Sequence, residues 1–198
     1  MSAIFQRFAG ISAILVGVGG LVYGMLFATI VYGAGRPVAL TWLGVGLVGA
    51  LLALPVAVAL YMRLRDTDRG FALLALLLGV VASLGQLENS GLTLAKEVGD
   101  LVGESSDPAG HFRFGLLGVS LFIVGWLIVR GGTLPKRLGY LAEAGGVLLA
   151  LTYLGRLTGV IDPATKFTTL PPLLYGVVVH PIFYVWLGRI LRREAADG

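Results

Sequence analysis

Six long, nearly uninterrupted apolar runs fill most of this 198-residue chain. About 20 apolar residues are needed to cross a bilayer as a helix. The runs fall near 8–32, 39–62, 70–91, 113–130, 137–159 and 170–191. Their continuity argues against a membrane barrel, whose strands alternate apolar and polar residues. Hydrophobic residues make up 57% of the chain and charged residues 13%, about half the charged share of a soluble domain. A soluble fold of this length has too little interior to hide that much apolar surface. The expected fold is all-α: a single domain and a polytopic bundle of six transmembrane helices. The first run has Arg7 in front of it and small residues near Ala34, as a signal peptide would. It is too long for a cleaved leader's apolar core, typically about 7–15 residues, and is read as a span.

The basic residues sort by side. With the amino terminus inside, Arg7, Arg63, Arg65, Arg69, Arg130, Lys136, Arg137, Arg189, Arg192 and Arg193 are cytoplasmic. Arg36, Lys96, Arg113, Arg156 and Lys166 fall on or near the other side, with Glu97, Asp100, Glu104 and Asp107 in one exterior loop. The positive-inside rule then predicts both termini in the cytoplasm. The basic end Arg189-Ile-Leu-Arg192-Arg193 reads as a helix-end anchor and, secondarily, as a contact for anionic lipid. The net charge of +4 is not a nucleic-acid signal, because no basic segment is interleaved with aromatics.

Thirty glycines indicate close helix packing. Gly20/Gly24 and Gly155/Gly159 are small-xxx-small pairs, expected to pack within the bundle rather than to form a dimer face. Pro55 and Pro181 fall inside spans two and six and predict kinks. Pro135 and Pro171-Pro172 open spans five and six, where proline is tolerated. Residues 92–102 place Leu94, Val98, Leu101 and Val102 at helical spacing opposite Lys96, Glu97 and Asp100. This predicts an amphipathic exterior extension of helix three.

An ionisable residue within a span is costly and has a partner or a role. Glu88, Glu143, Arg156 and His180 stand out, with Gln86 and Asn89 beside Glu88. Counted along the helices, Glu88 and Arg156 share a depth near the outer face, Glu143 and Arg189 share one near the inner face, and His180 lies near the midplane. Two structural ion pairs, Glu88–Arg156 and Glu143–Arg189, are geometrically possible. So is snorkelling of each to the headgroups. For His180 the plain reading is a neutral imidazole satisfied by a helical carbonyl or by a neighbouring tyrosine such as Tyr153, and the sharper one is proton relay, ligand contact or, least favoured, metal ligation. The chain has no cysteine and only two histidines. It carries no P-loop, dinucleotide fingerprint, nucleophile elbow or H-E-x-x-H motif. No cofactor, metal site or catalytic residue is therefore assigned.

The segment Gly132-Thr-Leu-Pro-Lys-Arg-Leu-Gly139, then Leu170-Pro171, Val185-Trp186-Leu187 and the basic end after them resemble a bacterial multi-pass membrane family catalogued as domain of unknown function 4386. Ala57-Val-Ala-Leu-Tyr61, followed by basic residues, is similar too. The resemblance is concentrated in 130–193. It implies six helices and no assigned activity, places His180 where family members often carry a glutamate, and matches Glu88 to a glutamate of the third helix. Two functional readings follow. One is a non-enzymatic accessory, lipid-binding or partner-binding membrane protein, whose partners are lipids, another membrane protein or a second copy. The other is a small carrier with a polar cavity formed by helices three, five and six, lined by Glu88, Arg156 and His180.

Overall fold

A computed structural model of the chain describes residues 1–31, 35–98, 112–157 and 170–197. They form helices α1 (Ala3–Val31), α2 (Arg36–Leu64), α3 (Arg69–Val98), α4 (Phe112–Gly131) and α5 (Lys136–Leu157). A last rod follows, made of α6 (Leu170–Leu174), a π-helical turn (Tyr175–Val179) and α7 (His180–Asp197). Six helical rods are long and apolar enough to cross a membrane. The six runs read from hydropathy are therefore all present, most of them a few residues longer at their ends. The part of the 92–102 extension within the described residues continues α3 as helix to Val98.

The element ends follow local chemistry. Ser2 Oγ accepts from Phe5 N at 3.3 Å, and Asp68 Oδ1 accepts from Phe71 N at 3.1 Å, so each satisfies a backbone donor at a helix start. Pro37 lies in the first turn of α2, where its missing N–H costs nothing. Gly132 closes α4 with φ 67°, and its N–H bonds Ile128 O at 3.2 Å. Residues with a Cβ rarely adopt that conformation.

Each rod packs against its neighbours in sequence, and α7 returns to pack along α1. The bundle is thus an up-and-down ring with both termini at one end, called the inner end below. Its surface is inverted relative to a soluble protein. Val48, Leu51, Leu77, Leu84 and Leu151 are exposed, whereas Ala9, Ala13, Ala59, Ala72, Ala75 and Ala142 are buried. Small residues let backbones approach in lipid, where no hydrophobic force drives helices together.

Two antiparallel seams show this most clearly. Along α1, Gly10, Gly17, Gly20 and Gly24 meet α7 and the π-helical turn at Gly188, Pro181 and Val185, His180, and Gly176 and Val177. The Gly20/Gly24 pair therefore packs within the chain. Gly155 lies at the end of α5, and Gly159 is outside the described residues. Between α4 and α5, Gly118 faces Gly146 and Gly125 faces Gly139. Seven-residue spacing on both helices keeps the contacts on one face. Toward the inner end the bundle is filled by Leu60, Leu64, Leu127, Ile128, Leu138, Phe183, Leu187 and Leu191. Beyond them an ion pair joins Arg63 of α2 to Glu194 of α7, and Gln6 Nε2 donates to Glu194 Oε2 at 2.9 Å.

Candidate functional site

Pro181 shapes the first candidate site. It has no N–H to donate, and its ring crowds the carbonyl four residues earlier. The rod accommodates it as a π-helical turn, in which the His180 N–H bonds Tyr175 O. Such turns recur at functional positions. This one aims the His180 imidazole at α1, where Gly20 leaves room for it: a Cβ at Gly20 would overlap Nδ1. The ring lies 5.4 Å from that of Tyr175 and 4.5 Å from that of Tyr184. His180 Nδ1 and the Tyr175 hydroxyl are shielded from solvent and have no hydrogen-bond partner among the described residues. Tyr153, expected beside His180, instead packs over Gly115 of α4 and edge-on to Phe112 at 6.4 Å. The tyrosines that do flank His180 come from its own rod, because the π turn brings Tyr175 and Tyr184 onto the same side.

Tyr184 also borders a cavity of about 40 Å³ among α2, α3 and α4, lined by small and aliphatic side chains with Ser83 and Ser120. That is room for about two water molecules. Both hydroxyls already donate: Ser83 to Gly79 O at 2.9 Å, and Ser120 across the helix interface to Ala75 O at 2.7 Å. Glu88, Gln86, Asn89 and His180 do not line it. The cavity expected from helices three, five and six is thus not where the described residues place one.

A second polar cluster occupies the outer half. Counting about 1.5 Å per residue from the inner helix ends places Tyr23, Gly46, Gln86 and Arg113 in one layer, roughly 25–30 Å away. Gln86 Nε2 donates to Ser90 Oγ at 2.7 Å. Both face Gly46 of α2, which also meets the edge of Tyr23. Tyr23 stacks on Trp42 at 4.8 Å, and its hydroxyl lies beside Gln86 and Arg113. Arg113 is only 7% exposed, with its guanidinium 4.8 Å from the Phe114 ring centre. Arg113 thus points into the bundle, at the end away from the termini, with the Tyr23 hydroxyl beside its head. Depth counting would have grouped all of them, but it does not say which way each side chain faces.

Glu88 is exposed on α3, two residues from Gln86, a spacing that puts the two on different helix faces. Asn89 is partly buried, and its backbone carbonyl accepts from Thr93 Oγ1 at 2.7 Å. The side chain of Arg156 lies outside the described residues, and with it the expected pair to Glu88. Glu143 and Arg189 do not pair, which corrects the second expectation. Glu143 packs over Gly125 on the α4–α5 seam, whereas Arg189 is exposed on α7 beside Arg7. They share a depth but belong to different faces of the ring. Among the described residues no group of three His, Asp or Glu side chains could hold a metal ion. No family model matches the chain, nor does any curated protein or solved structure.

Proposed function

We propose that this chain is a non-enzymatic accessory protein of the cell membrane that acts by binding lipid or a partner protein, with both termini cytoplasmic. We place it with the domain of unknown function 4386 proteins that residues 130–193 resemble. The observation that carries the reading is how little polar space the described residues leave. His180 is packed against Gly20, and the cavity among α2, α3 and α4 has room for about two waters. Among the described residues neither offers a solute a continuous polar path. The carrier reading retains one support, the π-helical turn at about the depth of the Tyr23–Gln86–Arg113 layer, which is a place where a rod could bend.

The test is thermal stabilisation of the purified protein across a panel of lipids and small solutes, repeated with His180→Ala and Glu88→Gln. Lipids are expected to raise the melting temperature equally in all three proteins, and solutes are expected to do nothing. A solute that stabilises the wild type and loses its effect in either variant would move the assignment to a carrier. Orientation is tested separately. A cysteine introduced at Ser106 is expected to react with an impermeant maleimide in intact cells, and its protection would place the termini outside.

A further inference from the structure

We propose that the inner end of the α1–α7 seam is a binding site for the phosphate headgroup of an anionic phospholipid. This rests on the lipid-binding form of the function proposed above. Arg7 of α1 and Arg189, Arg192 and Arg193 of α7, with Ala196, line an open groove of about 430 Å³. All four arginines are exposed. The helix seam holds them together: Gly10 meets the backbone of Gly188 and the Cγ of Arg192, so the two helices touch directly under the charges.

Among the described side chains, the groove is a concentration of positive charge without a counter-charge. Glu194, the acid of α7 nearest in sequence, is turned the other way, paired with Arg63 and bonded by Gln6. Among the described residues no carboxylate pairs with any of the four arginines. Guanidinium groups present planar forks that match phosphate oxygens, and a basic cluster at a bilayer surface attracts anionic headgroups.

What lies beneath the groove favours a lipid over a free anion. On α1, Ile11 and Val18 follow Arg7 by four and eleven residues, and on α7, Ile182 precedes Arg189 by seven. Those spacings keep each set on one helix face. All three are exposed, at 40% or more of their surface. A strip of apolar surface therefore runs from the arginines along both sides of the seam. Acyl chains can lie on it while the phosphate stays in the groove.

The experiment titrates phosphatidylglycerol into the protein in maltoside micelles and follows the melting temperature, with phosphatidylcholine, glycerol phosphate and inorganic phosphate as parallel arms. Phosphatidylglycerol alone is expected to stabilise the wild type. In R189Q/R192Q/R193Q its half-saturation concentration is expected to rise roughly a hundredfold, about fivefold per arginine. The charge-matched control R65Q/R69Q/R137Q, at the same end but outside the groove, is expected to leave it unchanged. The single variants R7Q and R193Q, at about fivefold each, provide the same reading should the triple variant not fold. Stabilisation by phosphatidylglycerol that the groove variants leave intact, or that the control reduces equally, overturns the site while lipid binding stands. Equal stabilisation by inorganic phosphate overturns the lipid as occupant. Stabilisation by none of the lipids overturns the site and the lipid-binding function together.

Discussion

Replacing Gly125 by alanine is expected to destabilise the bundle by about 3 kcal/mol, the upper end of the usual cost of overpacking. The new methyl carbon would stand 2.5 Å from the Gly139 carbonyl oxygen, 2.6 Å from Glu143 Cγ and 2.7 Å from Glu143 N. Two of those three atoms belong to the backbone of α5, so no rotamer change relieves the overlap. The helices have to separate, and separation loosens the Gly118–Gly146 contact one coil further along. Each lost atom pair is small, about 0.1–0.2 kcal/mol, but the seam loses many together. Alanine's better helix propensity returns at most about 1 kcal/mol. Gly44 and Gly49 are internal controls, because a Cβ at either meets nothing within 4 Å. Their alanine variants are expected to be neutral or slightly more stable. Thermal unfolding of the four proteins in one detergent checks the ranking. Equal melting of the Gly125 and Gly44 variants would mean that α4 and α5 do not pack through this face.

Gly20→Ala and His180→Ala are expected to be strongly coupled. Alone, Gly20→Ala should cost about 2 kcal/mol, since its methyl group claims the space of the His180 Nδ1 edge. An imidazole on the surface would swing aside. Here Tyr175 and Tyr184 flank the ring on both sides, so α1 or the π-helical turn has to give way. Removing the imidazole empties the space, and the double variant should recover most of the loss. Residues in direct contact show coupling of about 0.5–3 kcal/mol, and this pair should fall near the top of that range. A double-mutant cycle on unfolding free energy measures it. Additive effects would show that His180 does not rest on Gly20.

Much of the architecture is local and was open to inspection residue by residue. The Gly125 and Gly20 contacts belong to a class of information that was not. Thirty glycines announced close packing, but not which glycine meets which helix. Pro181 announced a break, and the π-helical turn sits directly before it. That the break aims His180 at α1, between Tyr175 and Tyr184, needed the neighbouring helix. Among the candidate residues, Gln86 and His180 were picked from polarity alone and both point into the bundle. Glu143 and Arg189 were matched by depth and lie on separate seams. In the sequence Arg113 marks only a side of the membrane; the burial of its side chain needs the structure.

The sequence by itself determined the skeleton: six helical rods long and apolar enough to cross a bilayer, with helix starts set by Ser2, Asp68 and Pro37. These follow from sums over neighbouring residues, namely apolar length against bilayer thickness and the few side chains that satisfy a helix end. Only the tertiary structure decided the rotation of each helix about its axis. In water an amphipathic stripe marks the buried face. In lipid both faces are apolar, so that marker disappears, and the inward face is the one whose small residues let a neighbour come closest. That choice buries Arg113 beside Tyr23 and Gln86, seats His180 on Gly20, and gathers Arg7, Arg189, Arg192 and Arg193 around one groove.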